Sequence, residues 1–168
     1  DQKRMPVSGL VRSAESAKRL QQAGITPVQA DLAQVDNLAT LPTLQTAGAT
    51  VFYLAPPPSE GEADPLIRQF LNALPTDALP EKLVLLSTTA VYGDCQGEWI
   101  DETHPVNPQT ARGTRRLDAE QAAREWSAIT GVPIVILRVG GIYGPGRLPI
   151  ARIEQGLPIL KEAESPFT

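Results

Sequence analysis

One cysteine, Cys95, and one histidine, His104, are all that the 168-residue chain holds of those two residue types. A lone thiol cannot close an internal disulfide, and no partner stands at metal-ligand spacing from it, so a disulfide framework and a thiolate metal site are both excluded. The chain also lacks an excess of positive charge. Fifteen basic residues against nineteen acidic ones give a formal net charge of −4, and the basic residues are scattered, which removes the footprint expected of a nucleic-acid surface. No apolar run approaches the roughly 20 residues that a membrane span needs, and the polar start Asp1-Gln2-Lys3-Arg4 does not resemble a signal peptide. These features together predict a cytoplasmic protein without nucleic-acid or membrane partners.

What is present is a regular alternation. Sixteen prolines and thirteen glycines fall between periodic segments, as in Pro56-Pro57-Pro58 and Gly144-Pro145-Gly146, and so act as punctuation. Val7 to Val11 reads as a short strand. Ser13 then stands at an N-cap position before a helix from Ala14 to Ala23 that Gly24 closes. Thr26 to Ala30 reads as a second strand ending at Asp31, Val35 to Leu41 as a weak helix, and Thr50 to Leu54 as a buried parallel strand. Asp64 caps a helix with Pro65 in its first turn, and Leu66, Ile67, Phe70, Leu71 and Leu74 form its apolar face. Leu83 to Leu86 is a further strand. Tyr92 to Gln109 is a long irregular loop, a length that in compact domains usually signals function. Leu117, Ala122, Ala123, Trp126 and Ile129 recur at helical spacing up to Gly131, and Pro133 to Val139 supplies the last strand.

Strands alternating with helices predict an α/β doubly wound, Rossmann-like parallel sheet with right-handed crossovers. Ligands in such sheets bind beyond the carboxyl ends of the strands, which here are Arg12, Asp31, Ala55, Ser87-Thr88-Thr89 and Gly140-Gly141. The sequence contains no glycine-rich turn between a first strand and a first helix. Because Asp1 to Met5 reads as the last turn of a helix, the first strand and its glycine loop are expected upstream of residue 1. Residues 1–147 are expected to be a partial dinucleotide-binding domain and residues 148–168 the truncated start of a C-terminal substrate portion.

Leu86-Ser87-Thr88-Thr89-Ala90-Val91-Tyr92-Gly93, then Asp101-Glu102-Thr103-His104-Pro105, then Ile136-Leu137-Arg138-Val139-Gly140-Gly141-Ile142-Tyr143-Gly144-Pro145-Gly146 follow one another in an order that resembles the extended short-chain dehydrogenase/reductases, the NAD-dependent epimerase/dehydratase family. The resemblance runs from about Ser8 to Gly146. It implies that Arg12 and Ser13 approach the adenosine ribose, where a cation suits the 2′-phosphate of NADP, with NAD still possible. It further implies that Asp31 and Leu32 frame the adenine, that Leu54, Ala55 and Pro56 lie beside the nicotinamide ribose, and that Gly140, Gly141 and Ile142 line the nicotinamide.

Thr88 occupies the family's catalytic Ser/Thr position. The family's Tyr-x-x-x-Lys motif, by contrast, reads Arg112-Gly113-Thr114-Arg115-Arg116. A guanidinium with a pKa above about 12 cannot act as a general base near neutrality. Arg112 could instead stabilise an oxyanion or an anionic substrate, and Arg116 could hold a ribose or phosphate as the lysine does. The pattern resembles an atypical subgroup that lacks the active-site tyrosine.

Each assignment has a plainer alternative. Arg12 could be a solvated cation at a helix start, and Arg112, Arg116 and Glu120 could form an exposed ion-pair ladder at i, i+4 spacing. Tyr92 and Tyr143 read as packing residues, His104 as a surface residue, Glu98, Asp101 and Glu102 as loop solvation, and Arg147 as a loop charge; no metal is expected. Cys95 has no cation near it in sequence that would activate a thiolate. Two functions follow. The first is an NAD(P)-binding, epimerase/dehydratase-like oxidoreductase acting on a small, nucleotide- or sugar-linked substrate. The second is a non-catalytic dinucleotide-binding redox sensor or interaction module. The family also implies a homodimer through the two long helices, Asp64 to Leu74 and Thr110 to Thr130.

Overall fold

A computed structural model describes residues 5–34, 46–144, 148 and 150–156, the side chains of 151 and 152 excepted. The elements follow the expected alternation: β1 (Ser8–Val11), α1 (Ala14–Gln22), β2 (Thr26–Gln29), β3 (Thr50–Tyr53), α2 (Pro65–Ala73), β4 (Lys82–Thr88), α3 (Ala111–Thr130), β5 (Ile134–Val139) and a short α4 (Ile150–Glu154). The weak helix expected at Val35 to Leu41 lies outside the described residues. All strand pairings in these elements are parallel, and they fall into two groups, β1–β2 and β3–β4–β5. Among the described residues no ladder joins the two. The α/β doubly wound reading therefore holds, with the sheet divided.

The caps form as their residue types dictate. Ser13 accepts from the Ser16 amide, Asp64 from the amides of Leu66 and Ile67 with Pro65 opening the helix, and Thr110 from the Gly113 amide. Gly131 ends α3 with φ of 77°, a left-handed conformation that favours glycine.

The core lies on one side of β3–β4–β5. Tyr53 of β3 and Leu83 and Leu85 of β4 point toward Ile67, Phe70, Leu71 and Leu74 of the α2 segment and toward Ala119, Ala122 and Ala123 of α3. Period-two alternation puts Phe52 and Leu54 on the opposite face, where they are 62% and 59% exposed. The small alanines let α3 lie close to the sheet. The expected apolar stripe of α3 holds for Ala122 and Ala123 but not for Ile129, which is 85% exposed. In place of an extended apolar stripe, the N-terminal half of α3 buries Arg115, Arg116 and Glu120, each with polar partners.

Candidate functional site

Thr88 ends β4, paired with Val139 of β5, and begins a single 3-10 turn over Thr89–Val91. Its Oγ1 accepts from the Ala90 amide at 3.3 Å, the local bond of a strand-end hydroxyl. One acceptor site is used, and the hydroxyl proton remains available to a substrate oxygen. The turn sits against the start of α3. A Cβ built on Gly113 would meet the Ala90 carbonyl oxygen at 2.8 Å, so glycine at that position allows the helix to approach the Thr88 turn. A second close approach occurs at Gly93, where φ is 76° and a Cβ would lie 2.2 Å from the Asn107 carbonyl oxygen. That contact, with the Asn107 amide donating to the Val91 carbonyl at 2.9 Å, folds the long loop back on the turn.

Arg112 is exposed in the first turn of α3, whereas Arg116, one turn on, is buried. Arg116 Nη1 donates to the Ala55 carbonyl at 3.1 Å, so helix α3 and the Leu54-Ala55-Pro56 strand end meet through this guanidinium. Burial pulls the Arg116 pKa below its ordinary value, with Asp64 and Tyr53 acting in the opposite sense. Beneath it, burial pushes the Asp64 carboxyl upward despite the amides of Ile67 and Leu66, and pushes the Tyr53 phenol upward as well. Asp64 Oδ2 and the Tyr53 hydroxyl are buried without a protein partner, two unsatisfied polar atoms in the packing below the site.

The exposed ladder considered for Arg112, Arg116 and Glu120 does not form, because the face carrying Arg116 and Glu120 turns inward. Glu120 is 1% exposed. Its Oε1 accepts from Ser87 Oγ at 2.6 Å, and its carboxylate receives Arg138 Nη2 at 2.8 Å and Nε at 3.1 and 3.3 Å. Arg138 also lies over the Tyr92 ring, 4.7 Å from its centroid, and donates from Nη1 to the Glu102 carbonyl at 3.5 Å. The Glu120 hydrogen bonds raise the Arg138 pKa, so the guanidinium is charged throughout the physiological range. Sequence reasoning did not assign this cluster a role. The available signal was parity: Ile134, Ile136 and Arg138 share one face of β5, and an arginine on a core-facing position requires a carboxylate beneath it.

The remaining expected positions are spread over the strand ends. Arg12 is exposed at the end of β1, its carbonyl accepting from Gln29 Nε2 at 3.3 Å, and Ser13 caps α1. Asp31 Oδ1 accepts from the Ala33 amide at 3.0 Å, and Leu32 packs on the edge of the core. Gly140, Gly141 and Ile142 are exposed, and a Cβ on either glycine would meet no described atom within 4 Å. Contacts thus join Arg116 to Ala55 and, through Glu120, Ser87 to Arg138. They do not join Arg12 or Asp31 to Thr88. Tyr92 is a packing residue as expected, but Tyr143 is exposed, since it follows the last strand rather than lying within it. His104 is half-buried rather than at the surface, its ring edge-on to Tyr92, and Cys95 Sγ lies 3.9 Å from its Nε2, a neighbour that sequence distance concealed. Asp101 accepts from the Thr103 hydroxyl and amide, which hold its carboxyl below the usual range. Arg147 lies outside the described residues.

Along β5 an open groove of about 780 Å³ is lined by Thr89, Tyr92, Glu102, Arg124, Arg138 and Val139, among others. Among the described residues no group of three or more His, Cys, Asp or Glu side chains could hold a metal ion, and no helix is long and apolar enough to cross a membrane.

A family model for the NAD dependent epimerase/dehydratase family matches residues 1–160, and the chain belongs to that family. The chain is 35% identical over 113 residues to "Protein YeeZ" of Escherichia coli (strain K12), a match covering 65% of this chain and 39% of that protein. It is 27% identical over 113 residues to a Bacillus subtilis (strain 168) protein named "Uncharacterized UDP-glucose epimerase YtcB", covering 67% and 34%. Among solved structures, the UDP-glucuronic acid 4-epimerase of Bacillus cereus in complex with NAD superposes with a TM-score of 0.70 at 22% identity, covering 91% of this chain and 56% of that one. At that identity the likeness speaks for the fold. The chain spans well under two thirds of these relatives.

For a dinucleotide, the accessible positions are Gly140 and Gly141, where among the described residues a Cβ would meet no atom within 4 Å, and Arg12, a cation exposed beside the capped start of α1 and able to pair with an anion.

Proposed function

We propose that the chain is the dinucleotide-binding part of an oxidoreductase of the epimerase/dehydratase type that acts on a nucleotide-linked sugar. The observation that carries this reading is the meeting of α3 with two strand ends: Arg116 bonds the Ala55 carbonyl while Gly113 presses the start of the helix onto the turn that Thr88 begins. One wall thus presents a hydroxyl and a guanidinium. The name of the Bacillus subtilis relative supports the sugar-nucleotide class.

In this reading the bound nicotinamide supplies hydride acceptance and return. Thr88 donates its hydroxyl proton in a hydrogen bond to the reacting oxygen, and the proton that oxygen itself loses as the hydride leaves passes to solvent water. The exposed Arg112 guanidinium stabilises negative charge developing on that oxygen, and Arg116 holds the ribose side against Ala55. Arg12 and Ser13 take the adenosine ribose and favour NADP over NAD. Asp31 and Leu32 take the adenine, Leu54, Ala55 and Pro56 the nicotinamide ribose, and Gly140, Gly141 and Ile142 the nicotinamide. The dinucleotide-binding part ends near residue 147, where the substrate portion starts. A cytoplasmic setting and a homodimer through α2 and α3 belong to the same proposal, and Ile129→Asp on the outer side of α3 should dissolve such a dimer in sedimentation.

The test is turnover of UDP- and dTDP-sugars by the full-length protein, followed by the absorbance of the reduced nicotinamide and by product analysis. Turnover abolished by Thr88→Ala supports the reading, and a Thr88→Ala variant as active as the parent overturns Thr88's role. One observation favours a second reading, a dinucleotide-binding sensor: Arg112 stands where the family's proton-exchanging tyrosine is expected, and that exchange typically contributes about 10²- to 10⁴-fold in rate. Saturable NADPH binding with no turnover across the sugar-nucleotide panel would select the sensor.

A further inference from the structure

We infer that Glu120 is the positioning residue that holds three walls of the crevice in one arrangement. For its functional consequence this inference rests on the reading above; its structural content does not.

Glu120 sits one turn beyond Arg116 on α3 and reaches two strands at once. Through Ser87 it holds the residue immediately before Thr88. Through Arg138 it holds the residue two before Gly140. Arg138 carries the connection further, to the Tyr92 ring and the Glu102 carbonyl of the long loop. The hydroxyl wall, the glycine wall and the loop therefore share a single buried carboxylate. A second cation, Arg124, stands 3.9 Å from it on the exposed side.

The chemistry explains why one residue can do this. A carboxylate accepts up to about four hydrogen bonds, and a guanidinium donates in a planar fork, so the Glu120–Arg138 pair fixes direction as well as distance. Removing the carboxylate leaves the half-buried Arg138 charge without its partner, a larger disturbance than breaking a fully exposed pair. The three walls then relax together, since the backbone segments flanking Ser87, Arg138 and Glu102 have this contact in common. Ordinary core loss behaves differently: it lowers protection across α2, β3 and β4 as one cooperative unit.

The experiment is amide hydrogen exchange on the full-length protein and on Glu120→Gln, Glu120→Ala and Asp118→Asn. The last breaks the Arg68–Asp118 link between α2 and α3 and serves as a control for lost stability away from the crevice. Glu120→Gln is expected to raise exchange roughly tenfold or more at 87–91, 101–104 and 138–141, leaving 65–73 near the parent rate. Asp118→Asn is expected to spare those three segments. Release of only one segment, or uniform release matching that of Asp118→Asn, would overturn the inference. If Glu120→Ala does not fold, Glu120→Gln decides alone.

NADPH titration into the same proteins separates the two proposals. A parent that binds no NADPH defeats the proposed function while the exchange pattern still decides Glu120. A parent that binds, with equal affinity retained by Glu120→Gln despite released walls, would overturn the positioning role in binding.

Discussion

The β1–α1–β2 unit and the β3–β4–β5 unit are built from the same alternation yet are held very differently. Helix α1 has no buried residue, and β1 and β2 have none either, whereas β4 buries Leu83, Val84, Leu85 and Ser87. The first unit relies on caps, short ladders and local hydrogen bonds. The second adds two helices, a packed core and partly buried ion pairs. The proposed adenosine end thus rests on the lightly buried unit and the proposed reacting end on the densely packed one. In the proposed function, Thr88 and Arg116 thus stand on packed elements, which favours the fixed geometry that chemistry demands.

The two units should differ most in how they tolerate a lost side chain in the core. Leu85→Ala, at a fully buried position, should cost about 2–5 kcal/mol in urea unfolding, and Leu10→Ala in the exposed part of β1 well under that. Equal losses would erase the distinction between the units. A smaller effect is expected at Gly113→Ala, where the new Cβ would press on the Ala90 backbone and cost about 1–3 kcal/mol. Because the strain falls on the Thr88 turn, this variant should lose turnover at temperatures where it remains fully folded, as measured by circular dichroism beside the sugar-nucleotide assay.

Smaller again is the contribution of Asp118. The Arg68 hydrogen bonds hold its carboxyl below the ordinary value of 3.8. A carboxyl depressed in the fold contributes stability that is complete above that value and is lost as pH falls through the lower folded value. Since Arg68 is partly solvated, the effect is about 1 kcal/mol. Asp118→Asn should therefore be less stable than the parent at pH 7, with the gap closing as pH falls below 3.8 and through the lower folded value in parallel urea titrations.

Much of this was legible in the sequence because it is local. Ser13 and Asp64 cap helices by bonds to amides two or three residues away, and Gly131 ends α3 by its own backbone angle, so short-range chemistry suffices to place them. The order of strand-end residues likewise led to the family. The illegible part is long-range. Glu120 and Arg138 are 18 residues apart, Ser87 and Glu120 33 apart, and only the packed sheet brings them together. Helical spacing places Arg112, Arg116 and Glu120 along one side but does not say which of them faces water. The same spacing put Ile129 inside, where it is 85% exposed. Cys95 and His104 are joined by a loop fold that Gly93 makes possible at Asn107, a contact invisible to a search for adjacent cations.

The most direct test of the account is calorimetric titration of NADPH and NADH into the full-length protein and its Arg12→Ala variant. Arg12 is exposed and its side chain takes part in no described hydrogen bond, so the variant should fold as the parent does. The account predicts saturable NADPH binding that weakens about tenfold without Arg12, with NADH binding little changed. Failure of the parent to bind either nucleotide would contradict it.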